Sequence, residues 1–219
     1  MENTILFWFV KKVNILNKDF YIKSYCKIEF GKVTLNGTVI FEDHLNNRNE
    51  FFKNLYKSFE IKYSKFFKMD NLCKLAFFAA ELLAKDLNIE SDRRKVGIIL
   101  SNNASSLDTD RKHQESIKDK NNFYPSPAVF VYTLPNITIG EVSIRHKLQG
   151  ESAFFVSRQY DSKLHHLYEN SLMSTEKCDE ILGGWINLDK ENYQAFLYLV
   201  SDKGEIKHTI ENLNKLYKN

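Results

Sequence analysis

Three cysteines and six histidines carry most of the chemistry open to this chain. A cysteine attacks only as its thiolate, which needs a cation, a helix N-terminus or a metal beside it. Cys26 falls in an alternating apolar and polar run, and Cys73 stands beside Leu72 and Ala76, so both read as small core residues. Cys178 is followed by Asp179 and Glu180, whose carboxylates raise a neighbouring thiol pKa and oppose reactivity. The odd count, the wide spacing and the absence of C-x-x-C argue against a disulfide framework or a zinc ribbon, and point to free thiols in a reducing cytosol. His165 and His166 are neighbours whose side chains diverge by about 100° on a helix, so they share no ligand face and no metal site is expected.

Phosphate chemistry needs clustered glycines that let the backbone approach an anion. The only adjacent pair, Gly183-Gly184, sits inside a strand-like segment, and no cofactor is expected. The serine elbow G-x-S-x-G is also missing. A net charge of +3, with 31 basic against 28 acidic residues, is too small a surplus to argue for nucleic acid. At 43% hydrophobic and 27% charged, the 219 residues fit one domain, 1–219, with a core rich in its 17 Phe and 11 Tyr. The N-terminal apolar run covers only residues 5–10, follows an acid at Glu2 and lacks a cleavage site, so it does not read as a signal peptide. No stretch approaches the roughly 18 to 20 apolar residues that span a bilayer. A soluble, cytoplasmic protein away from membranes is expected.

The elements that would position these residues follow from periodicity. Residues 21–40 alternate apolar and polar side chains around Asn36-Gly37, which predicts strands joined by a hairpin. A polar segment follows. Leu72, Leu75, Ala76, Ala79, Leu82, Leu83 and Leu87 recur at helical spacing behind Asp70, an N-cap residue, so residues 69–87 predict a helix. KVGIIL at 95–100 predicts a buried strand delivering the polar loop SNNASSLDTD. Residues 127–147 predict two short helices, broken where Pro135 removes a backbone donor. SAFFVS at 152–157 predicts a strand, and 161–173 a helix with Leu164, Leu167, Tyr168 and Leu172 on one face. Two strands, 180–187 and 193–200, and a helix over 206–217 complete a mixed α/β sheet with no internal boundary.

One stretch carries a likeness. FYPSPAVFVYTLPNITIGEVSIRHKLQG, starting at Phe123, resembles the segment of β-ketoacyl synthases that leads to their active-site cysteine. Ser126-Pro127, Leu134-Pro135-Asn136, Gly140-Glu141, Ser143-Ile144-Arg145 and Gly150 fall in the family's order without a gap. Met69-Asp70 with LAFFAAELL, VGIILSNNASSLDT and ILGGW are similar to the family's alanine-rich helix, its following strand and loop, and its strand with a small-residue pair. The likeness spans residues 21–200. It implies a thiolase-like half: a five-stranded mixed sheet of order 3-2-1-4-5 with helices on both faces.

The family's nucleophile heads a helix after a tight turn, where amides and the helix dipole favour a thiolate. Counting from Gly150, that position holds Gln159, in the turn SRQYD. A carboxamide cannot form a thioester. Arg158 and Tyr160 are bulky for such a turn, which points to a relaxed elbow. The chain also ends at Asn219 without the second ketosynthase half that supplies the family's histidines and lysine. The resemblance therefore implies a chain length factor, the partner without a nucleophile in a pair with a full-length ketosynthase, as in aryl polyene and flexirubin-type pathways, and no catalytic residue. Two readings stay beside it: a malonyl-carrier-protein decarboxylase, and an unrelated binding module on the same half-fold. The resemblance places the partner interface on Ala153, Phe154, Phe155 and Val156, in a heterodimer or a homodimer. Acyl carrier protein, being acidic, is a possible partner for Arg93, Arg94 and Lys95, or for Lys62, Lys65 and Lys68.

Overall fold

The computed structural model describes residues 18–43, 47–87, 92–121 and 124–219; the apolar run at 5–10 lies outside them. β1 (Tyr21–Glu29), β2 (Lys32–Leu35) and β3 (Thr38–Glu42) form an antiparallel meander. The anticipated Asn36-Gly37 turn closes β2 on β3 with both residues at positive φ (50° and 82°). A second such turn, Phe30-Gly31, closes β1 on β2 although Phe is a poor turn former.

Two helices occupy stretches read as polar segment and loop. α1 (Arg48–Ser58) starts at Asn47, whose side chain accepts from the amides of Asn49 and Glu50, and it buries Phe51, Phe52 and Leu55. After it, α2 (Asn71–Leu83) begins where expected: the Asp70 carboxylate accepts from the Cys73 amide at 2.8 Å. β4 (Val96–Asn102) is buried along its whole length, and α3 (Leu107–Ser116) buries only Thr109, which is why no apolar period announced it. α4 (Pro127–Val131) and α5 (Ile137–His146) flank Pro135 as the broken periodicity predicts. β5 (Ser152–Val156), α6 (Ser162–Ser174), β6 (Glu180–Asp189), β7 (Asn192–Ser201), the two-residue β8 (Ile206–Lys207) and α7 (Ile210–Lys218) follow. The expected helix at 206–217 thus starts four residues later, because Ile206 and Lys207 pair with Ile22 and Tyr21.

Among the described residues the sheet is mixed, with eight strands and not five, in the order β3-β2-β1-β7-β6-β4-β5, with β8 also on β1. Numbering the anticipated strands β1, β4, β5, β6 and β7 from one to five, the order is 3-2-4-5-1 rather than 3-2-1-4-5. The tight β6–β7 hairpin explains the correction. Its strands pair with each other, leaving only the outer edge of β6 for β4 and the outer edge of β7 for β1. β1, β3, β4, β5 and β6 run in one direction and β7 against them, so the carboxyl ends of five strands share one end of the sheet.

Helices cover both faces. α1, α2 and α5 bury an apolar layer on one, including Phe51, Phe66, Leu75, Phe77 and Ala79. α6 and α7 close the other, over Ile99, Ile181, Phe196, Tyr198 and Leu213. No helix among the described residues is long and apolar enough to cross a membrane.

Candidate functional site

The turn from β5 into α6 is the position the sequence marks for a nucleophile. β5 pairs in parallel with β4 up to Asn102 and Val156, and the Ser157 amide then donates to the Asn102 carbonyl at 2.8 Å. The Ser157 hydroxyl donates to the Gln159 carbonyl at 2.9 Å and closes the bend. Arg158 and Gln159 face solvent. No residue from 157 to 161 adopts a left-handed conformation, so the elbow is relaxed. α6 begins only at Ser162, and the Asp161 carboxylate accepts from the amides of Lys163 and Leu164 at 3.0 Å each. An anion of the chain itself therefore takes the helix end that would otherwise stabilise a thiolate.

Tyr160 turns inward. Its ring packs 4.7 Å from Tyr217, 5.2 Å from His165 and 5.6 Å from Phe196, and its hydroxyl reaches that of Tyr198 at 3.4 Å. Beneath it lies a polar cluster that sequence reasoning missed. The apolar stripe assigned to α6 is rotated: Leu167 is 56% exposed, whereas His165 and Glu169 have no exposed surface. His165 Nε2 lies 2.7 Å from Ser101 Oγ on β4, and its Nδ1 lies 2.9 Å from Glu169 Oε1. Tyr198 on β7 donates to the same carboxylate at 3.0 Å. His208 Nε2 stands 2.9 Å from Glu169 Oε2, off the line of a hydrogen bond, while its Nδ1 lies 3.0 Å from Asn170 Oδ1. Burial raises the Glu169 carboxyl, but the contacts with His165 and His208 outweigh it and hold the pKa below its ordinary value. His166 points elsewhere, 5.2 Å ring to ring from His208.

Serine, histidine and carboxylate stand here at nucleophilic-triad distances. Ser101 is wholly buried, however, so an acyl group has no route to its Oγ, and the cluster is a buried polar core. It also accounts for Gly183, while the neighbouring β7 backbone accounts for Gly184. A Cβ on Gly183 would fall 2.3 Å from Glu169 Oε1 and 2.7 Å from the Tyr198 ring. On Gly184, at φ 148°, it would fall 2.1 Å from the Phe196 carbonyl oxygen. The signal in sequence was the i,i+4 spacing of His165 and Glu169 together with a glycine mid-strand.

All three thiols are buried. Burial pushes Cys26 up to about 12 and Cys73 well above its ordinary value, with Asp70 adding to the latter. Cys178 is raised first by burial and then by Glu151 and Asp179; Glu180, expected to contribute, instead pairs with Lys23 at 3.6 Å.

β5 forms one edge of the sheet. The Glu151 carbonyl and the Ser157 amide bond toward β4, so by alternation the backbone groups of Phe154 and Val156 face outward. Phe155 packs on Tyr168 at 5.4 Å, and Val156 is 58% exposed. Arg93, Arg94 and Lys95 form a short 3-10 turn before β4, at the opposite end of the sheet from Gln159. Arg94 pairs with Asp92 at 2.8 Å and Lys95 with Asp179 at 3.4 Å. Of the second basic group, Lys65 pairs with Glu141 at 2.7 Å, whereas Lys62 and Lys68 are exposed.

No family model and no curated protein matches the chain. Solved structures do. The ishigamide ketosynthase/chain length factor superposes with a TM-score of 0.61 at 15% identity, over 84% of this chain and 62% of that one. A chain of the ketosynthase ApeO in complex with its chain length factor ApeC from Xenorhabdus doucetiae gives 0.58 at 13% identity, over 91% and 90%. The AntDE:AntF complex, a type II PKS acyl-carrier protein with its ketosynthase bound to the hexaketide, gives 0.63 at 13% identity, over 84% and 62%. This chain spans about three fifths of the length of the first and third, at 62% each. At these identities the likeness is one of fold, shared with ketosynthase and chain length factor structures as the sequence resemblance implied, with a strand number and order other than it implied.

Proposed function

We propose that this chain is a non-catalytic, chain-length-factor-like subunit that pairs with a full-length ketosynthase in fatty acid or polyketide-type biosynthesis, of the aryl polyene or flexirubin kind. The carrying observation is the elbow: a solvent-exposed carboxamide, Gln159, stands where acyl transfer needs a thiolate, and every thiol is buried with a raised pKa. A fold shared with ketosynthase and chain length factor complexes supports the reading. The subunit uses no cofactor.

The outward edge of β5, with Ala153, Phe154, Phe155 and Val156, is the surface for the partner strand. An unpaired edge of this kind recruits another strand. In that pair this subunit helps shape the pocket that holds the ketosynthase's growing acyl or polyene chain. Carrier protein contact falls to Arg93, Arg94 and Lys95, where an acidic partner would have to displace the pairs with Asp92 and Asp179.

Co-expression with a ketosynthase encoded beside this chain tests the reading, with a stable complex expected. Val156→Pro removes an amide that faces away from β4, so the isolated chain should fold while the complex is lost. A chain that captures no ketosynthase, or rapid stoichiometric acylation of the wild-type chain alone, overturns the proposal. Unchanged carrier titration after charge reversal of Arg93, Arg94 and Lys95 removes that contact only.

A further inference from the structure

Between the carboxyl ends of α1 and α2 lies a cleft of about 270 Å³. Leu55 and Phe59 at the end of α1, Ile61 just after it, and Phe78 and Leu82 from α2 give it an apolar lining. The volume falls just below the roughly 300–1,000 Å³ of drug-sized sites, which suits a short apolar body. The charged residues of the lining are Glu60, Lys62, Glu81, Lys85 and Arg145.

These charges are unequally committed. Arg145 grips the Glu81 carboxylate through Nε and Nη2, at 2.9 and 2.6 Å, and its guanidinium lies 4.9 Å from the centre of the Tyr63 ring. That pair is neutral as a unit. Lys62 and Lys85 are exposed and make no ion pair among the described residues. They are not spent on capping α1 either, because its end closes on its own backbone. The Ile61 amide donates to the Tyr56 carbonyl at 3.2 Å and the Glu60 amide to the Lys57 carbonyl at 3.0 Å, the two bonds of a Schellman turn. Glu60 holds the left-handed position of that turn, φ 50°, where glycine is the usual choice, and its carboxylate has no partner among the described residues. Two uncommitted cations against one uncommitted acid leave a positive excess beside an apolar floor.

We propose that this cleft binds a small amphipathic anion, with a short apolar body on Leu55, Phe78 and Leu82 and a carboxylate beside Lys62 and Lys85. Neither Gln159 nor the β5 edge lines it, so the site stands or falls independently of the subunit reading.

Hexanoate, hexan-1-ol and hexylammonium, titrated separately into the full chain at low ionic strength, share one apolar body and differ in charge. Saturable NMR shifts of the Leu55, Ile61 and Leu82 methyl groups are expected, tightest for hexanoate and weakest for hexylammonium. Lys62→Met and Lys85→Met should each weaken hexanoate about two- to fivefold and leave hexan-1-ol unchanged. Glu60→Gly should tighten hexanoate about twofold and also raise Tm, because glycine takes the left-handed position without strain. Ile61→Trp, which fills the cleft from its exposed side, should abolish binding of all three. No saturable shift with any probe, or hexan-1-ol or hexylammonium binding as tightly as hexanoate, overturns the proposal. Should Ile61→Trp fail to fold by circular dichroism, hexanoate affinity unmoved in both lysine variants does the same.

Discussion

On one face of the sheet α2 presses Leu72, Leu75, Ala76 and Ala79 against apolar strand residues; on the other α6 presses His165 and Glu169 against Ser101 and Tyr198. Both faces exclude water, yet they fail differently. An apolar layer loses stability in proportion to the volume removed, because dispersion and hydration scale with contact. A polar layer is all or nothing: each donor has one acceptor, and removing that acceptor strands the rest in low dielectric. Gly183 belongs to the second kind of packing, since its missing Cβ is the space that the Glu169 carboxylate fills.

The largest expected effect breaks the polar face at its hub. Glu169→Ala leaves His165, His208 and Tyr198 facing a lost acceptor and should cost about 3–5 kcal/mol, read from urea midpoints at constant m. Glu169→Gln, which keeps one carbonyl acceptor, should cost less. A loss below about 1 kcal/mol for the alanine would mean that water replaces the carboxylate and that the two faces do not differ. Next comes Gly183→Ala. The added methyl meets a carboxylate held by three partners, so about 1–3 kcal/mol should be lost through overpacking. If Glu169→Ala is made first, the penalty at Gly183 should shrink, because the clashing oxygen is gone; additivity would refute the coupling.

Acid sharpens the same contrast. The Glu169 carboxyl is held below its ordinary 4.5 in the folded state. Its contribution is therefore present above the unfolded value and is lost as pH falls through the lower folded value. Stability measured against pH for the wild type and Glu169→Gln should be widely separated above that window and converge below it. Parallel curves would assign the acid sensitivity to other groups.

How much of this was legible follows from the same distinction. The α2 cap at Asp70, the period of its leucines and alanines, the Asn36-Gly37 turn and the break at Pro135 are local signals, and the structure places each where the sequence did. α1 escaped because charged and polar residues interleave with Phe51, Phe52 and Leu55, and α3 because it has almost no buried face. The strand order escaped because no local signal says that a hairpin will be inserted between β4 and β1. The strand, turn and helix around Gln159 were readable too. The cluster below that turn was not, since Ser101, Glu169 and Tyr198 come from three separate elements and His208 from the loop before α7, and none taken alone announces its partners. The glycine pair was noticed for the loop it does not make, and its role needed the partner across the layer.

The smallest effect has the opposite sign and tests whether the apolar face has the slack that the polar face lacks. Gly140 lies inside α5, packed beside α2, and a Cβ there would meet nothing within 4 Å. Glycine in a helix interior costs roughly 0.5–1 kcal/mol against alanine, through the freedom it loses on folding and the backbone it leaves to water. Gly140→Ala should therefore stabilise the chain by about that amount, a rise of a few degrees in Tm for a domain of this length. The same substitution at Gly183 should lower Tm. A destabilised Gly140→Ala would mean that the space beside α5 is not open in solution and that the apolar face has no more slack than the polar one.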